Sequence, residues 1–447
     1  MSKLSHEAGV AHLRKQVQTT VSKKSDDDDN WLGDEGQQND EDEDVNQVTE
    51  ISENDAAVNV VRGPCIERLE STEAPDRKRP YILTSGTDVV SVLKSYAKDL
   101  PDGRNLAYWG ILDLTGDSIA SKALFTKEDW AEMVQSFKQE VKLSETPISD
   151  NASRLFDKID ETSDNDEPLS NNKTIQSGLS NPSDIEHALK DIDDVDSYTI
   201  KRAILTYAEN LEEVDLPMSE AAFDNLFPNM LARKLLDRKQ LKVEVGEICC
   251  WASAQRRNQE RSVILRAQIG QRCDFKGTLR SSIDKVEAIV GLRSGGLPEA
   301  HRKKIFTDRI DLAVSMRDIL YAFFSANPNA PDDKLHQMFV LGVQSWGWMY
   351  DVYAMDCKGT NVCRLGRLNR IKMPNAIETI ACLEEICTVM TDIKTTLGVI
   401  CNKANDAALS NARARRRKRT DVNDDAVGGC FGNVSGTPAK KRSTQEM

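Results

Sequence analysis

Between Leu231 and Ile310 the chain carries 18 Lys and Arg against 9 Asp and Glu, a local balance of +9 inside a protein whose net charge is -13. Like charge gathered in one segment repels itself on compaction. Any fold must therefore pair these cations with acids from elsewhere or present them to an anionic partner. Taken as a nucleic-acid-contacting region, the stretch places Arg256, Arg257 and Arg261 on a helix expected to begin near Glu247. Arg257 and Arg261 are four apart, so they share a face and can touch successive phosphates, with Ile264 and Leu265 holding the segment to the core. Gly270 to Gly277 reads as a loop carrying Arg272 and Lys276, whose terminal glycines let backbone N–H groups approach an anion. It lacks the Gly-Lys-Ser/Thr ending of a Walker A loop. A second flexible element, Gly291 to Pro298 with Arg293, precedes Arg302, Lys303 and Lys304.

The stretches on either side are unlike it. Residues 1 to 60 hold 15 acids and 5 bases, and residues 145 to 197 hold 14 acids and 4 bases with much Ser and Asn. Low hydrophobicity with high net charge does not repay the entropy of ordering, so residues 1–79 are expected to form a disordered acidic arm. Trp31 and Leu32, lodged among its acids, are anchors for a transient contact. Residues 145–197 are expected to be a flexible acidic insertion, since a stretch of that length without apolar periodicity is not an ordinary loop. Its charge suits it to lie over the basic surface when no ligand is bound. Residues 406–447 are expected to be a disordered basic tail.

Between these lie periodic stretches. Val89, Val90, Leu93 and Ala97 recur at helical spacing, Leu106 to Leu114 reads as a short strand or buried turn, and Thr126 caps a helix whose Trp130, Met133, Val134 and Phe137 share a face. Residues 80–144 are expected to form a small N-terminal lobe. From Tyr198 onward the pattern is helical, through Phe223 and Met230, through Phe306 to Phe324, and along Leu383, Ile386, Met390, Ile393, Leu397 and Ile400. The last series fits a bundle core. The expected fold is therefore mainly α: a two-lobed helical body, with residues 198–405 as its RNA-binding and assembly part.

Arg364, Arg367 and Arg370 are spaced by three, which on a helix or 3₁₀ segment puts them on one side. Trp346, Trp348, Tyr350 and Tyr353 lie just upstream. Rings beside guanidinium groups suit single-stranded nucleic acid, although in a mostly helical body such a cluster is usually core. The full phosphate-contacting set read from the sequence is Arg256, Arg257, Arg261, Arg266, Arg272, Lys276, Arg280 and Arg293, helped by Arg364, Arg367 and Arg370. Two compact basic runs, Arg413 with Arg415, Arg416, Arg417, Lys418 and Arg419, and Lys440 with Lys441 and Arg442, are nuclear import candidates or nucleic-acid patches. Arg77 to Arg79 is a weaker third.

Enzyme chemistry finds little support. There is no Gly-x-Ser-x-Gly, no His-Glu-x-x-His and no Gly-x-Gly-x-x-Gly, and only 5 histidines to serve as general bases. No catalytic residue and no cofactor is expected. The 10 cysteines are too dilute for a disulfide scaffold, and the pairs Cys357/Cys363 and Cys382/Cys387 have no histidine nearby, so reduced thiols and no metal site are expected. The first 20 residues have no secretory pattern and the longest uncharged window near the aromatic cluster, Met338 to Tyr350, is 13 residues, so a soluble intracellular chain with no membrane partner is expected.

In length, acidic amino-terminal arm, the Ile269 to Leu279 segment and basic tail, the chain resembles the nucleocapsid (coat) proteins of plant negative-strand RNA viruses, most nearly those of ophioviruses. The similarity spans residues 80 to 405 as a general plan. Plant rhabdovirus nucleoproteins are next nearest, and the long acidic insertion departs from their outline. The resemblance implies single-stranded genomic RNA held sequence-independently in a cleft between helical lobes, and protomers polymerising along it as a homo-oligomer. It also implies a viral polymerase or phosphoprotein-like partner, and a place in the virion, the host cytoplasm and, through the basic runs, the nucleus. The competing expectation is a cellular nuclear scaffold or adaptor using the acidic arm and heptad helix to bind proteins.

Overall fold

The computed structural model describes residues 80–424 apart from 102, 164–178, 180, 191–196, 215, 237–239, 260–266, 299 and 360–361, with side chains described as far as Arg417. The acidic arm, Asp191 to Asp196, Arg261, Ile264, Leu265, Arg266, Lys440, Lys441 and Arg442 lie outside the described residues.

The chain begins with helix α1 (Val89–Lys98), capped by the Asp88 side chain, then a 3₁₀ turn (Leu106–Trp109), strand β1 (Ile111–Asp113) and a short α2 (Ile119–Lys122). Helix α3 (Lys127–Glu140) starts at Thr126, whose hydroxyl accepts from the Asp129 amide as its sequence position predicts. Then come α4 (Asp150–Ser163), α5 (Pro182–Ala188), α6 (Tyr198–Glu212), α7 (Glu220–Leu226) and α8 (Pro228–Leu235). Strand β2 (Leu241–Cys249) leads into α9 (Trp251–Asn258), followed by β3 (Arg272–Leu279), β4 (Glu287–Arg293), the long α10 (Arg302–Ala326) and α11 (Asp332–Leu335). Strands β5 (Phe339–Trp346), β6 (Met349–Gly359) and β7 (Val362–Lys372) and a 3₁₀ turn (Ile377–Cys382) precede α12 (Leu383–Asp424).

The strands form one seven-stranded sheet in the order β1-β7-β6-β5-β4-β3-β2, parallel at β1/β7 and β4/β5 and antiparallel elsewhere. A mainly α, two-lobed body is therefore incorrect: this is an α/β fold around a mixed sheet. The physical reason lies in β5 and β6, which are buried on nearly every residue. Strands covered on both faces read as continuous apolar runs, and those do not differ from buried helix by periodicity.

Both faces are covered, as two glycines demonstrate. Gly342 pairs with Tyr353 and Gly366 with Ala354, and successive residues of β6 point to opposite faces. A Cβ on Gly342 would lie 2.4 Å from Met316 Sδ of α10, and one on Gly366 would lie 2.1 Å from Phe137 Cε1 of α3. So α10 crosses one face and α3 the other, each at a point where only glycine leaves room.

One apolar core takes in residues from Tyr81 to Ala407. Residues 80–144 do not stand apart from it, since β1 is the edge strand beside β7. Part of the expected flexible insertion is also core: α4 buries Ala152, Leu155, Phe156 and Ile159, and Leu179, Ile185 and Leu189 are buried nearby. The acids of α4 face outward around that stripe, which concealed it in the charge count. Helix α12 buries the expected stripe from Leu383 to Ile400 and continues it with Ala404, Ala407, Ala408 and Asn411. Six large apolar side chains in that stripe contribute on the order of 10 kcal/mol of transfer free energy before chain entropy is subtracted. Its helical continuation to Asp424 replaces disorder at the start of the expected tail. Cys357 and Cys363, opposite each other in the β6/β7 register with Cα atoms 4.0 Å apart, are joined by a disulfide, in place of the reduced pair expected.

Candidate nucleic-acid interface

The cations singled out in the sequence separate into two populations, one engaged by acids and carbonyls of the body, whether buried as Arg364 or exposed as Arg370, and one left open to solvent. Arg364, Arg367 and Arg370 lie on β7, not on a helix. Arg364 and Arg367 pair in unbroken register with Asp356 and Tyr353, so they point to opposite faces of the sheet. A bulge between Arg367 and Asn369 adds one residue to β7 and brings Arg370 opposite Asp351, on the face of Arg367. Arg364 is fully buried and donates from Nε and Nη2 to Asp356 at 2.9 and 2.6 Å, with Ser136 Oγ at 3.1 Å. Arg367 donates to Asp117 at 2.9 and 3.1 Å, and Arg370 to Asp351 at 2.6 and 2.8 Å. The aromatic set is spoken for as well: Tyr350 and Tyr353 are buried, Trp348 packs edge-on against Phe223 and Phe227, and Trp346 stacks with Arg370.

The central stretch behaves similarly. Glu247 lies in strand β2 and Arg272 to Gly277 in strand β3, instead of a helix start and a loop. Lys276 is buried on β3, 3.1 Å from Glu287 and 2.9 Å from the Cys249 carbonyl. Arg256 on α9 pairs with the buried Asp318 at 2.7 Å. Arg257 donates to the Ile269 carbonyl at 2.9 Å and to Gln271 at 2.8 Å. Arg293 is buried beneath α7, 3.9 Å above the Phe223 ring, and donates to the carbonyls of Gly295 and Gly347 at 2.8 and 3.0 Å. Burial brings its pKa down to about 10. A recess beside it is lined by Asp224, Asn229, Asp274, Ser345 and Tyr350 among others. Burial, reinforced by the Asp274 charge, pushes Asp224 up to about 7, and burial pushes Asp274 to about 6. These cations serve the fold: a buried pair that loses one partner leaves a charge in a medium that solvates it poorly.

The surface population is different. Arg272 is exposed and its acid partner among the described residues is the exposed Glu247. Arg280, Arg302, Lys303, Arg413, Arg415 and Arg416 are exposed and have no acid partner among the described residues. Two of these groups belong to one region. The β3–β4 turn, which carries Arg280 and Lys285, is fastened to α12: the Ile283 amide donates to Asn405 Oδ1 at 2.9 Å, and Asn405 Nδ2 donates to the Ser281 carbonyl at 3.2 Å. Six residues further on, Asn411 is buried and holds α12 to the end of α10. It donates to the carbonyl of Ala326 and the side chain of Asn327 at 3.2 and 3.3 Å, and accepts from the Asn329 amide at 3.0 Å. Arg413 follows two residues later, about 12 Å along the axis from Asn405 at ~1.5 Å per residue. The helix runs on through Arg415, Arg416, Arg417, Lys418 and Arg419. Arg413 and Arg416, three apart, share a face.

The sequence marked this basic run but not its clamp. Asn411 sits in phase with Ile400, Ala404 and Ala407, and alanines are weak markers of an apolar stripe. Among the described residues no group of three or more His, Cys, Asp or Glu is arranged to hold a metal ion, and no helix is long and apolar enough to cross a membrane. No protein family, curated protein or solved structure matches this chain.

Proposed function

We propose that this chain binds single-stranded RNA through its phosphates, without regard to base sequence, and coats it as a nucleocapsid protein does. The observation that carries the binding is the run Arg413, Arg415 and Arg416, exposed on a helix that Asn411 clamps to the core two residues earlier. A rigid base holds Arg413 and Arg416 at fixed spacing on one face, with Arg415 turned to the other side of the helix, which suits successive phosphates of a strand passing over this end of α12. Arg280 and Lys285 on the adjoining turn extend the cationic face. Polymerisation along the RNA rests on the resemblance alone. The two-lobed cleft has no part in this reading, and neither do Lys276, Arg293 and Arg364, whose heads are enclosed.

The test is to purify the full chain without nuclease, measure its absorbance ratio at 260 and 280 nm, and image it by negative-stain electron microscopy. Nucleic-acid absorbance with RNA-filled rings or filaments supports the proposal. A nucleic-acid-free monomer that also fails to bind added oligouridylate overturns it and favours a protein-binding scaffold.

A further inference from the structure

Trp251 is 74% exposed at the first turn of α9, whereas Trp109, Trp130, Trp346 and Trp348 are all at least half-buried. Exposure of so large an apolar surface on a mobile loop would mean little. Here the backbone beneath it is fixed. The Trp251 and Ala252 amides donate to the two carboxylate oxygens of the buried Glu287 at 2.9 and 3.1 Å, and the Cys250 amide donates to the Gln271 carbonyl at 2.8 Å. Gly270 is pressed so closely against this corner that a Cβ there would lie 2.3 Å from the Cys250 carbonyl oxygen and 2.6 Å from the Ala254 amide. The Lys276 ammonium lies 5.6 Å from the indole centroid.

The strand and loop that meet this corner carry exposed cationic and aliphatic side chains. Arg272 pairs in register with Cys249, two residues before Trp251, and its side chain is 63% exposed. Its Glu247 partner is 71% exposed, and ion pairs so open to water contribute little and yield readily to a competing anion. Ile269, 59% exposed, is held by the Arg257 guanidinium on its carbonyl. One indole with one isoleucine is a small apolar area for a protein interface, which needs a contiguous patch. A flat ring on a rigid base, two residues along the chain from the strand partner of an arginine whose exposed ion pair yields to a competing anion, matches the stacking and charge pattern of single-stranded nucleic acid.

We infer that Trp251 is a stacking platform for one unpaired base of the bound RNA, with Arg272 taking an adjacent phosphate. This rests on the RNA-binding reading and adds a second contact to it. Strand β2 separates the Trp251 corner from the Arg280 end of the ribbon by about 26 Å at ~3.3 Å per residue, a distance that several nucleotides of single strand would cross.

The experiment compares wild type, Trp251→Ala and Trp251→Phe for binding to a single-stranded oligoadenylate and to an abasic oligomer of equal length, with melting temperatures recorded for each protein. Trp251→Ala is expected to weaken oligoadenylate binding by roughly 5- to 100-fold and to leave abasic binding unchanged, with Trp251→Phe recovering most of the loss. Equal oligoadenylate affinity in wild type and Trp251→Ala overturns the stacking role and leaves the RNA-binding reading standing. A parallel loss on the abasic oligomer also overturns it, since the residue would then act by shaping the fold. Wild type that binds neither oligomer removes both readings and leaves Trp251 as a contact for a protein.

Discussion

Arg364 and Asp356 face each other across β6 and β7 with both ends of the guanidinium fork engaged and neither side chain open to solvent. Burial opposes the Arg364 charge, and the hydrogen bonds and charge of Asp356 more than restore it. Replacing Arg364 by Ala strands a carboxylate in the core. A loss of about 3–5 kcal/mol is expected, read as a fall in the urea midpoint with an unchanged slope. RNA affinity per folded molecule should stay at the wild-type value, because this cation reaches no ligand.

Helix α4 separates an acidic tether from a structural element. Phe156 is buried against the core, and Phe156→Ala should cost about 3–5 kcal/mol. Exchange of exposed Asp157 or Asp160 for Asn should change stability by less than ~0.5 kcal/mol. Equal, negligible effects at all three positions would mean that the segment does not pack as described.

The recess beside Arg293 ties stability to pH. Asp224 and Asp274 titrate near 7 and 6 in the folded chain and near the ordinary carboxylate value when unfolded, and Asp311, also raised by burial, titrates near 6. Between pH 5 and 8 the folded state thus binds protons that the unfolded state has released, so these groups stabilise the fold at the acidic end and that contribution is lost as pH rises. The melting temperature should be a few degrees higher at about pH 5.5 than at pH 8. Asp224→Asn, which keeps an acceptor for Asn229, should flatten the dependence and match or exceed wild type at pH 8.

Helices α3 and α12 were legible in the sequence, because Thr126 caps the first and the stripe from Leu383 to Ile400 repeats at helical spacing whatever packs against it, whereas α4 and α5 were hidden by the acids around them. Nor was the sheet legible. Its charges are satisfied across strands, Asp356 by Arg364 and Asp351 by Arg370, and a pairing between neighbouring strands has no signature in either strand alone. For the same reason Arg256 and Lys276 read as free cations: Asp318 lies 62 residues from Arg256 along the chain, and Glu287 approaches Lys276 only once β3 and β4 are folded. The run Arg413 to Arg419 was legible because a dense local cluster of like charge needs no folding to be seen. That it rides on a clamped helix required Asn411 to be placed.

The division of cations into those that hold the fold and those that meet RNA is tested most directly by the salt dependence of oligouridylate affinity. Wild type, Arg364→Lys and the triple variant Arg413→Glu/Arg415→Glu/Arg416→Glu would be measured together. Each single-strand phosphate contact contributes a slope of about -0.7 in log affinity against log salt. The triple variant is expected to stay folded, bind at least ~10-fold more weakly and lose at least about 1.4 from the magnitude of the slope, the share of the two arginines on one face. Arg364→Lys is expected to melt earlier and keep the wild-type slope. A triple variant with wild-type affinity and slope, or a slope that falls on changing Arg364, would contradict the account.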